Sequence, residues 1–123
     1  MKVILAICLS TLIAGGLLIW NALRWPNQYG MFTGATRAEI GMLIDKPADF
    51  MGKTVAVAGT VREQCNTMGC FFYLYAGNKR LRVDLKDIAM KAPRREGHSA
   101  RVEGQLESYI DGYQLLAAAV KFE

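Results

Sequence analysis

Two cysteines, Cys65 and Cys70, stand in the stretch REQCNTMGCFFYLY with four residues between them. Cysteine reacts and binds metal as the thiolate, so the pair could hold a soft metal, cycle through a disulfide, or close a structural bridge. A structural zinc site needs four ligands, and beyond this pair His98 is the only other good one. Cu(I) is conceivable on Cys65, Met68 and Cys70, because thiolates and thioethers select soft ions. Dithiol redox chemistry of the thioredoxin kind uses C-x-x-C at a helix start; this spacing is longer and lies between extended segments. A bridge across a hairpin asks only that the Cα atoms approach to about 5.5–6 Å, and an oxidising compartment would keep it closed. The expected state is therefore a disulfide, with no resident metal or cofactor.

An aromatic run follows at once. In an extended strand successive side chains point to opposite faces, so Phe72 and Leu74 share one face and Phe71, Tyr73 and Tyr75 the other. Tyrosine hydroxyls favour a wet boundary, which sends Phe72 and Leu74 inward. The run KRLRVDLK alternates as well, with Leu81, Val83 and Leu85 on one side and Arg80 and Arg82 on the other. Phe71, Tyr73, Tyr75, Arg80 and Arg82 are thus expected on one outer surface, a partner-binding site. No catalytic constellation accompanies them. There is one histidine, no Ser-His-Asp set around a suitable turn and no glycine-rich phosphate loop outside the apolar run. The chain is expected not to be an enzyme.

The elements that position these residues come in two parts. Residues 3–20, VILAICLSTLIAGGLLIW, carry no charge and account for most of the excess in a 52% hydrophobic composition. About 20 apolar residues span a bilayer as a helix, so residues 1–23 are expected to be an uncleaved transmembrane signal anchor, with Trp20, Trp25 and Tyr29 at its far interface. Residues 24–35, with Pro26, Gly30 and Gly34, read as a linker, and residues 36–123 as one domain.

That domain opens with TRAEIGMLIDKP. Thr36 and Glu39 have capping-box spacing, Ile40, Leu43 and Ile44 share a helical face, and Pro47 ends the helix. Everything after is β in pattern. Val55, Val57 and Val61 alternate inward. Val102 and Leu106 do the same against outward Arg101, Glu103 and Glu107. Asp111-Gly112 signals a hairpin, and Leu116, Ala118, Val120 and Phe122 are expected on one face of the last strand. Five alternating strands, mid-strand Gly59 and Gly104 where a small barrel must bend, and an irregular insertion after the third strand fit an all-β OB-fold, a five-stranded partly open barrel.

The run from DFMGKTVAVAGTV through CNTMGCFFYL, RLRVDL, REGHSARVEGQLES and GYQLLAAAVKF resembles the small exported bacterial OB-fold proteins of the tRNA-anticodon-like group, some of which carry a Cys, a short polar spacer and Gly-Cys before an aromatic strand. The layout of anchor and barrel is also similar to the periplasmic haem chaperone of cytochrome c maturation. That family attaches haem through a His or Cys after the final strand, near a Tyr. The sequence ends at AVKFE, so haem attachment is not expected. The short basic start followed by a long apolar run resembles an exported bacterial protein, so the expected location is the bacterial inner membrane, single-pass, with the C-terminal domain in the periplasm.

The basic residues exceed the acidic ones by 15 to 11, a net charge of +4. True nucleic-acid domains are usually more basic, so nucleic acid is not the expected partner. The expected function is a membrane-anchored accessory module that docks onto another envelope or membrane-complex protein, touching the lipid bilayer through residues 3–23. The alternatives are a periplasmic metal- or redox-handling accessory using Cys65 and Cys70, and a nucleic-acid-binding OB domain.

Overall fold

The computed structural model describes residues 26–65, 70–88 and 94–123. The expected anchor at residues 1–23 lies outside them; among the described residues no helix is long and apolar enough to cross a membrane.

Five strands build a closed ring: β3 (Thr54–Arg62), β4 (Phe71–Ala76), β5 (Lys79–Asp84), β6 (Ser99–Tyr109) and β7 (Gly112–Phe122). β3, β4 and β5 form an antiparallel meander. The chain then crosses to the far side, where β6 pairs antiparallel with β3 and β7 with β6. β7 closes the ring by pairing parallel to β5 through Arg82–Asp84 and Gln114–Leu116. This strand order, with one parallel closure, is that of the OB barrel.

Alternation decides which side chains fill it. Val55, Val57, Val61, Phe72, Leu74, Leu81, Val83, Leu85, Val102 and Leu106 are all buried, as their spacing predicts. Phe72 has no exposed surface and packs its ring 6.1 Å from that of Phe122. Full burial of such a side chain stabilises by about 1.5–3 kcal/mol. Gly59 and Gly104 sit where strands approach too closely for a side chain. A Cβ on Gly59 would lie 2.5 Å from the Tyr75 carbonyl oxygen, and one on Gly104 2.2 Å from that of Leu116.

The last strand departs from strict alternation. Leu115 and Ala117 are buried, Ala118 is exposed and Leu116 half-buried, yet Val120 and Phe122 are buried again. The ladder gives the reason. Glu103 faces Ala119 and Gly104 faces Ala117, so Ala118 is an extra residue on β7. A bulge of this kind turns one half of a strand over relative to the other. The hairpin that joins β6 to β7 also lies one residue earlier than expected. Tyr109 pairs with Gly112, so Ile110 and Asp111 form the turn, with Ile110 at φ 45°.

The N-terminal part of the domain differs more. Thr36 and Arg37 do not cap a helix; they form a short strand, β2, parallel to β3. Helix α1 spans Ile40–Asp45, and Glu39 at its N-cap makes no side-chain capping bond. Ile40 and Leu43 are buried against the barrel, whereas Ile44 is 39% exposed, because a six-residue helix presents too narrow a stripe to bury all three. Pro47 begins a 3-10 turn, Pro47–Asp49.

Residues expected to be linker are largely docked. Gln28–Gly30 form β1, antiparallel to β7. Residues 31–35 then cross the outside of the barrel as a strap to β2. Glu103 pins the strap: its carboxylate accepts hydrogen bonds from the Thr33 N–H (2.8 Å), the Thr33 hydroxyl and the Ala35 N–H (3.1 Å). Glu103 was expected outward in solvent. It does point outward from the barrel, but the strap covers it and leaves it 2% exposed. Bonding from Thr33, hydroxyl first, outweighs the opposing effect of burial and holds its carboxyl below the ordinary pKa.

Candidate binding face

The outward side chains of β4 and β5 form one surface. Tyr73 faces Arg82 and Tyr75 faces Arg80 across the ladder, so all four project to the same side, joined by Phe71 two residues before Tyr73. The structure brings the five residues singled out in the sequence onto one face. The arginines lean diagonally. Arg82 lies over Phe71 at 3.9 Å from the ring centroid, and Arg80 over Tyr73 at 4.6 Å. Phe71 and Tyr73 are nearly perpendicular, with centroids 5.9 Å apart. The result is a ladder in which rings and guanidinium groups alternate.

Four further residues hold this ladder. Arg62, at the end of β3, lies 5.8 Å over Tyr75. Glu63 accepts from the Tyr75 hydroxyl and from Arg80 Nη1, both at 2.8 Å. Together the Tyr75 hydroxyl, foremost, and the Glu63 carboxylate raise the pKa of Arg80 above its ordinary value. Arg82 also lies over the ring of Tyr109, at the end of β6, 4.4 Å from its centroid. Gln114 of β7 accepts from Arg82 Nε at 2.9 Å. Its amide nitrogen donates to Glu107 at 2.6 Å and to Asp84 at 3.4 Å. Gln114 is 3% exposed, so this is a buried polar strut with its donors and acceptor in use.

Strand parity could have found two of these. Arg62 follows inward Val61, and Tyr109 continues the outward series through Glu107. Gln114 was hidden, because the Ala118 bulge reverses the face expected for its half of β7.

Two loops border the face. The β6–β7 turn carries Tyr109 at one end. At the other, Cys65 and Cys70 stand at disulfide distance with a Cα–Cα separation of 6.0 Å, inside the range that bridges adopt. The Cys65 N–H donates to the Phe71 carbonyl and the Leu85 N–H to that of Cys70, so the cysteine loop is tied to the start of β4. Met68 lies outside the described residues. His98 is exposed at the entry to β6, its Nδ1 3.4 Å from the Glu123 carbonyl. Among the described residues no group of three His, Cys, Asp or Glu gathers as a metal site.

The local charge is mixed. Arg62, Arg80, Arg82 and Lys86 are interleaved with Glu63, Asp84 and Glu107, and Lys86 approaches Glu107 at 3.8 Å. The Arg80–Glu63 pair is about half exposed on both sides, so it orders the arginine more than it stabilises the fold.

No family model matches the chain, so the resemblance to the exported bacterial group has no such support, and no curated protein matches it either. Among solved structures the chain is similar to the telomere capping protein Ten1 from Saccharomyces pombe, with a TM-score of 0.52 and 17% identity over 72% of this chain and 81% of that one. At that identity the likeness concerns fold alone. Ten1 is an OB-fold protein, and with the ring order described above the likeness makes this chain a mostly β protein of OB-like fold with one short α-helix.

Proposed function

We propose that the chain is a non-enzymatic binding module that takes single-stranded nucleic acid on the outer face of β4 and β5. One observation carries this reading: Phe71, Tyr73 and Tyr75 alternate with Arg82, Arg80 and Arg62 on the face that OB-folds use for oligonucleotides, between the two loops that usually flank such ligands. Bases stack on aromatic rings and on guanidinium planes, and each stacked base is worth about 1–3 kcal/mol. The modest net charge argued against nucleic acid, but stacking depends on where the cations sit more than on their total. The likeness to a telomere capping protein lends the same reading support, through fold.

The test is the fluorescence anisotropy of a labelled oligothymidylate titrated with the full chain at about 50 mM and about 200 mM salt, where phosphate contacts differ strongly. Binding that weakens with salt and is lost in Tyr73→Ala is expected. No binding at low salt, or equal affinity in Tyr73→Ala, would overturn the reading.

A second reading is favoured by the Cys65–Cys70 pair, since disulfides persist in oxidising compartments. Here the domain sits in the periplasm, anchored through residues 3–23, and the same face docks onto an envelope or membrane-complex protein. Reporter fusions at the C-terminus and affinity purification from solubilised membranes test it. Cytoplasmic placement of the domain would sink it.

A further inference from the structure

On the outer face of β3, β6 and β7 lies a second feature that the binding face does not use. The strap roofs part of this sheet and leaves a cavity of about 430 Å³ beside it. Its floor is made of the Ala56 and Ala58 methyl groups, one wall is the Phe32 ring, and Arg37, Arg101 and Lys121 line it.

The charges here are arranged against stability. Lys121 faces Arg101 directly across the β6–β7 ladder, and like charges in that position destabilise a sheet. Arg37 enters from β2, opposite Ala56. Two carboxylates are near. Glu103 is committed to the strap through Thr33 and Ala35. Glu123 pairs with Arg101 at 3.1 Å. Among the described residues neither Arg37 nor Lys121 has an ion-pair partner. Three cations, one of them neutralised, thus converge on a small apolar floor beside an aromatic wall.

We propose that this groove binds a small organic anion with a flat apolar body, of the aromatic carboxylate class. The acidic group would lie between Arg37 and Lys121 and relieve the repulsion between Lys121 and Arg101. The ring would lie on Ala56 and Ala58 against Phe32. The volume suits a molecule of that size, and an inorganic anion would leave the apolar floor wet.

Calorimetric titration of the full chain with naphthoate and with its neutral isostere naphthamide tests this. Naphthoate is expected to bind roughly tenfold tighter than naphthamide, about the worth of one charge-assisted hydrogen bond. The double variant Arg37→Gln, Lys121→Gln should lose that difference, while Tyr73→Ala should keep it. Without ligand, Lys121→Gln is expected to melt at or above the temperature of the unaltered chain, because a like-charge contact is removed. Equal affinity of the unaltered chain for acid and amide would overturn the proposal, whatever the variants do. So would the absence of any naphthoate binding, or an undiminished preference for the acid in a folded double variant.

Discussion

The Arg82 guanidinium lies 3.9 Å from the centroid of the Phe71 ring, although the ladder sets Phe71 opposite Asp84 and Arg82 opposite Tyr73. The arginine therefore reaches diagonally to the neighbouring row. Gln114 and Tyr109 explain the lean: one accepts from Nε and the other packs its ring 4.4 Å from the guanidinium. Arg80 makes the same one-row step onto Tyr73. Cation–π contacts of this kind contribute about 0.5–1 kcal/mol where exposed and more where desolvated, and they order the side chains of this face before any ligand arrives.

Gln114→Leu keeps the bulk but removes the acceptor for Arg82 and leaves Glu107 and Asp84 without their amide donor. Urea denaturation should give a loss of about 1–3 kcal/mol, the cost of stranding buried polar partners. Oligothymidylate affinity should fall as well, although Gln114 is buried beneath the face.

Glu103→Gln tests the strap. A carboxylate that accepts three hydrogen bonds is replaced by an amide that cannot accept them all, with an expected loss of about 2 kcal/mol. The pH dependence has a definite sign. The folded-state pKa lies below the ordinary carboxylate value, so this contribution is complete above the ordinary value and is lost as pH falls through the folded pKa. The protection factors of the Thr33 and Ala35 amides, with the intrinsic pH dependence of exchange divided out, should fall in acid in the unaltered chain. In Glu103→Gln protection should already be low at neutral pH and lack that acid step.

Gly104→Ala and Gly52→Ala should differ by mechanism. At Gly104 the new methyl would meet the Leu116 carbonyl oxygen, and the two strands must separate, at roughly 3 kcal/mol. Gly52 has open space around it but a φ of +76°, so alanine there costs only about 1–2 kcal/mol in backbone strain. Thermal unfolding of the two variants should rank them in that order.

Ile110→Asn should stabilise. A β-branched residue at φ 45° in an exposed turn is strained, and Ile110 is 83% exposed, so it has little packing to lose. A gain of about 1 kcal/mol is expected in chemical denaturation.

How much of this was legible follows from how far apart the deciding residues lie. Inward and outward positions on β3, β4 and β5 could be read directly, because those strands keep period two throughout. Phe71, Tyr73, Tyr75, Arg80 and Arg82 follow from the same rule. On β7 the rule fails at Ala118, since an unpaired residue is defined by its partner strand and leaves no mark in its own sequence. Glu103 looked like an ordinary solvent-facing charge because the groups that bury it, Thr33 and Ala35, lie about 70 residues earlier. Thr36 and Glu39 have the spacing of a helix start, but pairing with β3 claims Thr36 and Arg37 first. Gln114 escaped for a related reason: its role exists only after β5, β6 and β7 meet.

β1 and β2 do more than lead into the barrel. Ring closure pairs β7 with β5 only through Gln114–Leu116, so the far half of that strand would present bare peptide groups along an edge. β1 covers it at Ala119–Lys121, and β2 covers Val55 and Ala56 of β3 in the same way. An open strand edge is a template for pairing with another chain. The docked N-terminal segment therefore protects the barrel from self-association, with Glu103 as the latch that keeps the cover in place.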